Sequence, residues 1–297
     1  MRKASTLLLT LTIGSTVAVG ISAQDKAADA TRPRFTQAST NVFRRFAVDL
    51  AKMKEFYGDV LGLGALPAIG MPGGGQMTRF HAGTTEVKLQ PSAAESQAPS
   101  GAIRDVIGLR VLTFFFPDQA ALAARFNEHG LLSPDFQKAG GATTTRAMVK
   151  DPSGQWVELV VMPGAAPATF DKIEIGLTVS DLDKSRAFYR DFVGLDELPP
   201  VLDAQLGVTK YPFRLGTTTI NVWSFGKGTT VNTSSAGIQY VVVNVEEVDA
   251  RAKAQHIKID RPLGNFSVGL RTVWLGDPDG ITNYFAQVNG RQEISTR

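Results

Sequence analysis

The chain of 297 residues has no cysteine and only three histidines, His81, His129 and His256. Without thiols no disulfide can brace the fold, and thiolate nucleophiles, thiolate zinc sites and c-type haem attachment are all excluded. Three scattered imidazoles leave little scope for a histidine-ligated metal. Lys and Arg exceed Asp and Glu only by 31 to 28, and no run of five or six basic residues occurs, so there is no stripe for a nucleic acid partner. With 43% hydrophobic and 20% charged residues, the composition suits a globular protein with a sizeable core, and the length suggests two domains.

Met1-Arg2-Lys3 precedes a short apolar stretch from Leu7 to Ile21 that ends in Ser22-Ala23. A charged start, a greasy middle and a small-residue exit make a secretory signal over residues 1–23, cleaved after Ala23. An uncleaved membrane anchor is the alternative, but the stretch is short and broken by Thr, Gly and Ser. The mature chain is therefore expected to be exported, periplasmic or secreted, with no stable membrane insertion. Residues 24–40 are polar and Ala-rich and read as a flexible lead-in.

From Asn41 the chain repeats itself. Lys54-Glu55-Phe56-Tyr57-Gly58-Asp59-Val60-Leu61-Gly62-Leu63 returns as Arg186-Ala187-Phe188-Tyr189-Arg190-Asp191-Phe192-Val193-Gly194-Leu195, and Asp151-Pro152-Ser153-Gly154 returns as Asp277-Pro278-Asp279-Gly280. Matching order and spacing identify a duplication. In each copy an apolar strand runs into a polar turn, Ser180-Asp181-Leu182-Asp183 in the second, where Asp or Ser can cap a helix that glycine later ends. Hairpin strands rich in β-branched and aromatic residues follow, and the pattern of strand, helix and strands then recurs within the copy. Four βαβββ units result. The copies occupy residues 41–163 and 171–290, with a linker at 164–170 and a tail at 291–297.

This ordered set, Ser-Asp-Leu-Asp-Lys-Ser, Phe-Tyr-Arg-Asp, Val-Gly-Leu and Asp-Pro-x-Gly, resembles the vicinal oxygen chelate superfamily of glyoxalase I, bleomycin-resistance proteins and extradiol dioxygenases. The resemblance covers Asn41 to about Val288. It implies an α+β fold of two tandem modules, whose paired units curve mixed sheets into cups. In enzymes of the class a divalent metal sits in the cup on His at the first strand of a unit and Glu or His near its last. Here those positions fall on Val42 or Phe43 and Lys88, on Val111 and Glu158, on Glu174 and Asn221, and on Tyr240 and Tyr284. None is histidine. His129 and His256 instead fall at helix C-termini and His81 at a hairpin bend.

Alternation along Trp156-Val157-Glu158-Leu159 turns Glu158 toward a cup. If the second unit pairs with the third, Glu158, Glu174 and Asn221 share that cup. An oxygen-only trio suits Mn²⁺, Mg²⁺ or Ca²⁺ weakly and Zn²⁺ or Ni²⁺ poorly. The other cup is expected to carry Tyr240 and Tyr284, with Trp223, Phe225 and Trp274 on or near the same strands. That lining suits a flat or apolar small molecule, although strand aromatics are commonly core. Arg44, Arg45, Arg79 and Arg110 could present charge to an anionic ligand. The glycine-rich Met71-Pro72-Gly73-Gly74-Gly75-Gln76 lacks the ending of a phosphate loop and reads as a rim loop.

Three functions compete. The first is a metal-free binding protein that takes a small aromatic or apolar molecule at Glu158, Glu174, Asn221, Tyr240, Tyr284 and Trp223, and needs no cofactor. The second is a lyase, isomerase or dioxygenase using a divalent cation on Glu158, Glu174 and Asn221. The third is a structural or interaction protein with filled cups. A homodimer is compatible with all three.

Overall fold

The computed structural model describes residues 32–71, 74–92, 102–139, 143–226, 230–231 and 236–289. The segment expected to be a signal, the start of the lead-in, the centre of the glycine-rich loop and the tail lie outside them. Within the described residues there is no helix long and apolar enough to cross a membrane.

Each unit starts on a strand and turns into a helix capped by an Asx side chain. Asp49, Asp118, Asp181 and Asn244 each accept a backbone N–H of the first turn, at 2.9–3.1 Å. In the first and third units the helix widens into a π-turn, Glu55–Val60 and Phe188–Phe192. That turn carries the repeated Phe-Tyr pair, and its tyrosine explains why two distant motifs recur together. Tyr57 donates to Asp151 Oδ2 at 2.9 Å, and Tyr189 donates to Asp277 Oδ2 at 3.0 Å. The other oxygen of each Asp accepts backbone N–H groups of its own Asp-Pro-x-Gly turn. All four side chains are buried, so helix and turn satisfy each other's polar atoms where water is absent.

Two mixed, curved sheets result. The eight-stranded one runs Ile259–Ser267, Leu270–Gly276, Thr282–Val288, Ala236–Val241, Asn41–Phe46, Thr85–Pro91, Gln76–Ala82 and Gly64–Gly70. Along the main path of the other lie Asp196–Glu197, Val208–Leu215, Thr218–Trp223, Ile173–Thr178, Val106–Phe116, Trp156–Val161, Thr145–Lys150 and Gln137–Lys138, with Val201–Asp203 paired to Val208–Leu215 off it. The first unit therefore joins the fourth and the second joins the third. The joints are antiparallel, Asn41 opposite Gln239 and Thr113 opposite Glu174.

One apolar core takes the helix-side faces of both sheets, with Phe46, Phe56, Phe114, Ile175, Phe192 and Phe285 among its members. It also includes Phe35, which bridges to Val242. Packed chain thus begins several residues before Asn41, because an aromatic side chain in the lead-in finds a buried place beside the sheet.

Candidate functional site: two cups with resident cations

The concave faces of the two sheets are chemically unlike. On the larger sheet, Thr113 sits in register with both Glu158 and Glu174, two strand spacings apart. Thr113 Oγ1 donates to Glu158 Oε2 at 2.8 Å, and Asn221 Nδ2 donates to Glu174 Oε2 at 2.6 Å. Glu158, Glu174 and Asn221 therefore do share a cup. Arg146 completes it, donating from Nε to Glu158 Oε1 at 2.5 Å and from Nη2 to Asp203 Oδ2 at 2.8 Å. Lys210 Nζ reaches the same Asp203 oxygen at 2.6 Å.

Burial alone would raise the Asp203 carboxyl, but hydrogen bonds from Arg146 and Lys210 outweigh it and hold that group well below the usual carboxylate range. Glu174 goes the other way. Its burial, with the charge of Glu158 adding, keeps it above that range against the opposing Lys210 and Arg146. A cavity of about 790 Å³ opens beside these groups, rimmed by Leu198, Val201 and Leu202.

Trp223 belongs here and not with the tyrosines. It is buried with Val111 and Val208 in this cup, and its indole N–H donates to Thr178 Oγ1 at 2.9 Å. Phe225 packs against the same cluster. Trp223 has the same strand parity as Asn221, so it faces the same side. Room for its ring comes from Gly176, where a Cβ would collide with the Trp223 ring. Gly176→Ala is therefore expected to cost about 1–3 kcal/mol, measured by urea denaturation. An unchanged midpoint would mean that the ring is free to move.

The smaller sheet carries the aromatic cup. Phe43, Tyr284 and Ala286 form its buried centre, against which Trp274 and Leu270 pack. Trp274 stacks on Tyr284 with centroids 4.7 Å apart and on Phe266 at 6.2 Å. Beyond this ladder a cavity of about 350 Å³ remains, lined by Phe43, Arg45, Gln90, Arg261, Phe266 and Trp274 among others. Met71, at the start of the glycine-rich segment, also borders it.

Tyr240 is absent from this cup. It lies on the helix side of the sheet, stacked on Phe285 at 4.9 Å and bonded through its hydroxyl to Asn283 Oδ1 at 3.0 Å. The cup position of that strand is its neighbour Gln239, whose Oε1 accepts from Asn41 at 2.9 Å and from Lys88 Nζ at 2.5 Å. Lys88 also lies 3.4 Å from Glu86, which Arg79 holds at 3.1 Å. Each cup thus has a side-chain cation among its central polar groups, Arg146 in one and Lys88 in the other.

Of the arginines suggested for an anionic ligand, only Arg45 lines the aromatic cavity. Arg44 is buried on the helix side against Gln155, Ser153 and Asp151. Arg110 is buried at a register shift beside the Ala102 carbonyl, and Arg79 is engaged by Glu86 and the Pro67 carbonyl. The histidines are peripheral to both cups. His129 bonds Glu55 at 2.7 Å, His81 lies 3.3 Å from the Gly83 carbonyl, and His256 follows its helix with φ 55°.

The sequence profile of the glyoxalase/bleomycin resistance protein/dioxygenase superfamily matches residues 40–159 and 170–285. The chain belongs to that superfamily. Glyoxalase I from Zea mays superposes with a TM-score of 0.67 at 19% identity, over 84% of this chain and 92% of the maize chain. A candidate dioxygenase from Bacillus subtilis superposes with a TM-score of 0.59 at 17% identity, over 87% of this chain and 86% of the other. These likenesses are of fold. Among curated protein sequences none matches.

Superfamily membership raises the question of a divalent metal, and the donors do not suit one. Among the described residues no group of three or more His, Cys, Asp or Glu converges on a possible ion position. Arg146 Nε and Thr113 Oγ1 take one Glu158 oxygen each, and the polar groups of the other cup centre on an ammonium. A bound cation would have to displace a resident one.

Proposed function

We propose that this glyoxalase-superfamily protein is exported and binds a small planar aromatic or apolar molecule in the cup of the eight-stranded sheet, without a metal. The observation that carries this reading is the cavity at the end of the Phe266–Trp274–Tyr284 ladder. Three rings, Phe43, Phe266 and Trp274, line it together with the polar groups of Arg45, Gln90, Ser92 and Arg261. About 350 Å³ lies at the lower end of the range for small-molecule pockets and suits one or two fused rings. The Arg261 guanidinium lies over Phe266 and Trp274, 5.2 and 5.9 Å from their centroids. A ring entering here would pack against Phe43, Phe266 and Trp274 and place an acidic substituent at Arg261 or Arg45.

The test is a thermal-shift screen of aromatic acids and neutral aromatics, run with and without chelator. A ligand at a hundred times its Kd stabilises by about 2.7 kcal/mol, an easily visible shift. We expect hits among aromatic acids that chelator leaves unchanged and that Trp274→Ala abolishes. A screen with no hit, or hits that vanish with chelator, would overturn the reading.

A further inference from the structure

The cavity beside the aromatic ladder has two guanidinium groups in its lining, Arg45 and Arg261, and among the described residues no carboxylate lines it. The two arginines come from distant strands. Arg45 lies on Asn41–Phe46 beside Gln90, on the same face as Phe43. Arg261 lies on Ile259–Ser267 opposite Trp274. Three strands separate these two in the sheet, so their backbones stand four strand spacings apart, about 19 Å along a flat sheet. The curvature of the sheet brings both side chains to one cavity of about 350 Å³, which they enter from opposite sides. On the strength of the aromatic-cup reading above, we infer that the ligand is a dianion: a planar aromatic molecule with acidic groups at opposite ends, one taken by Arg45 and the other by Arg261.

The order of groups along the cavity matches such a molecule. Phe43 neighbours Arg45 on its strand face, Trp274 neighbours Arg261 across the strand pair, and the two rings lie 5.6 Å apart. The sequence across the cup is thus cation, ring, ring, cation. Nearby acids are already engaged. Glu86, the carboxylate among the central polar groups of this cup, is held by Arg79 and Lys88. Asp260, next to Arg261 in the chain, pairs with Lys258 at 2.8 Å. Arg261 itself makes no ion pair among the described residues and lies over the Phe266 and Trp274 rings. A guanidinium resting on rings keeps its N–H fork for a carboxylate. One acidic group on the ligand neutralises one of the two guanidinia, and a second neutralises the other.

The test is isothermal titration calorimetry, with chelator present, of benzene-1,4-dicarboxylate and its monoamide 4-carbamoylbenzoate, which has the same shape and one charge fewer. The diacid should bind wild type about ten- to a hundredfold more tightly, as one added charge-assisted hydrogen bond provides. That gap should close in Arg45→Gln and in Arg261→Gln. Arg261 is exposed, so its variant keeps the fold and decides alone should Arg45→Gln not fold. Equal affinity of diacid and monoamide for wild type would overturn the inference and leave the aromatic cup standing. A gap that survives Arg261→Gln would overturn it too, as would binding of naphthoate without binding of the diacid. If neither these probes nor naphthoate bind, the aromatic-cup reading itself falls, and the inference falls with it.

Discussion

Replacing Arg44 by Leu is expected to remove about 3–5 kcal/mol of stability, the usual cost of stripping one partner from a buried ion pair. Leu is the residue that the duplication itself carries at this position. Gly83-Thr84-Thr85 matches Gly216-Thr217-Thr218, and in the parallel pairings Arg44 lies beside Leu89 as Leu177 lies beside Val222. Arg44 and Asp151 are both fully buried and 3.6 Å apart, and the guanidinium also reaches Gln155 and Ser153. Its loss strands a carboxylate whose remaining partners are the Tyr57 hydroxyl, Ser153 and the backbone N–H groups of its turn. Urea denaturation checks this, and Asp151→Asn added to Arg44→Leu should recover part of the loss. A single-variant effect under about 1 kcal/mol would place the pair among exposed ones, which contribute that little.

In the second copy the same turn shows what a missing arginine does. Burial pushes the Asp277 carboxyl up to about 7, although two backbone N–H groups and the Tyr189 hydroxyl donate to it. In the unfolded chain it titrates near the reference value of 3.8. Between about 4 and 7 the folded protein holds a proton that the unfolded chain has released. Stability therefore falls as pH rises through this window and the full penalty remains above it. Three pKa units correspond to roughly 4 kcal/mol as an upper bound. Asp277→Asn keeps an oxygen for the N–H groups and has no charge, so it should be more stable than wild type at pH 8 and about equal at pH 4. Guanidinium denaturation at both values checks it. A variant equally or less stable at pH 8 would mean that Asp277 ionises in the fold at no cost.

The repeat was readable because one tyrosine and one aspartate must meet in each copy, Tyr57 with Asp151 and Tyr189 with Asp277, and their spacing survives in the chain. Glu158, Glu174 and Asn221 were readable as one cup because strand alternation is strict once a face is buried. The same strictness explains Tyr240. An offset of one residue in its strand exchanges Gln239 for Tyr240 and sends the side chain into the core. Trp223 could have been placed correctly by its parity with Asn221.

Arg146 and Asp203 were harder to find. Arg146 shares a face with Met148, which lies opposite Glu158, but nothing local marks an arginine as buried. Asp203 follows Pro199-Pro200 in a three-residue strand with no period of its own. The resident cation of each cup is a tertiary fact, made by residues from several strands.

The most direct measurement is a tryptophan-fluorescence titration with naphthoate in the presence of chelator, on wild type and Trp274→Ala. If the aromatic cup binds planar molecules without metal, wild type should show saturable quenching that chelator does not alter and that Trp274→Ala loses. Quenching that requires added metal, or that persists in Trp274→Ala, would contradict it.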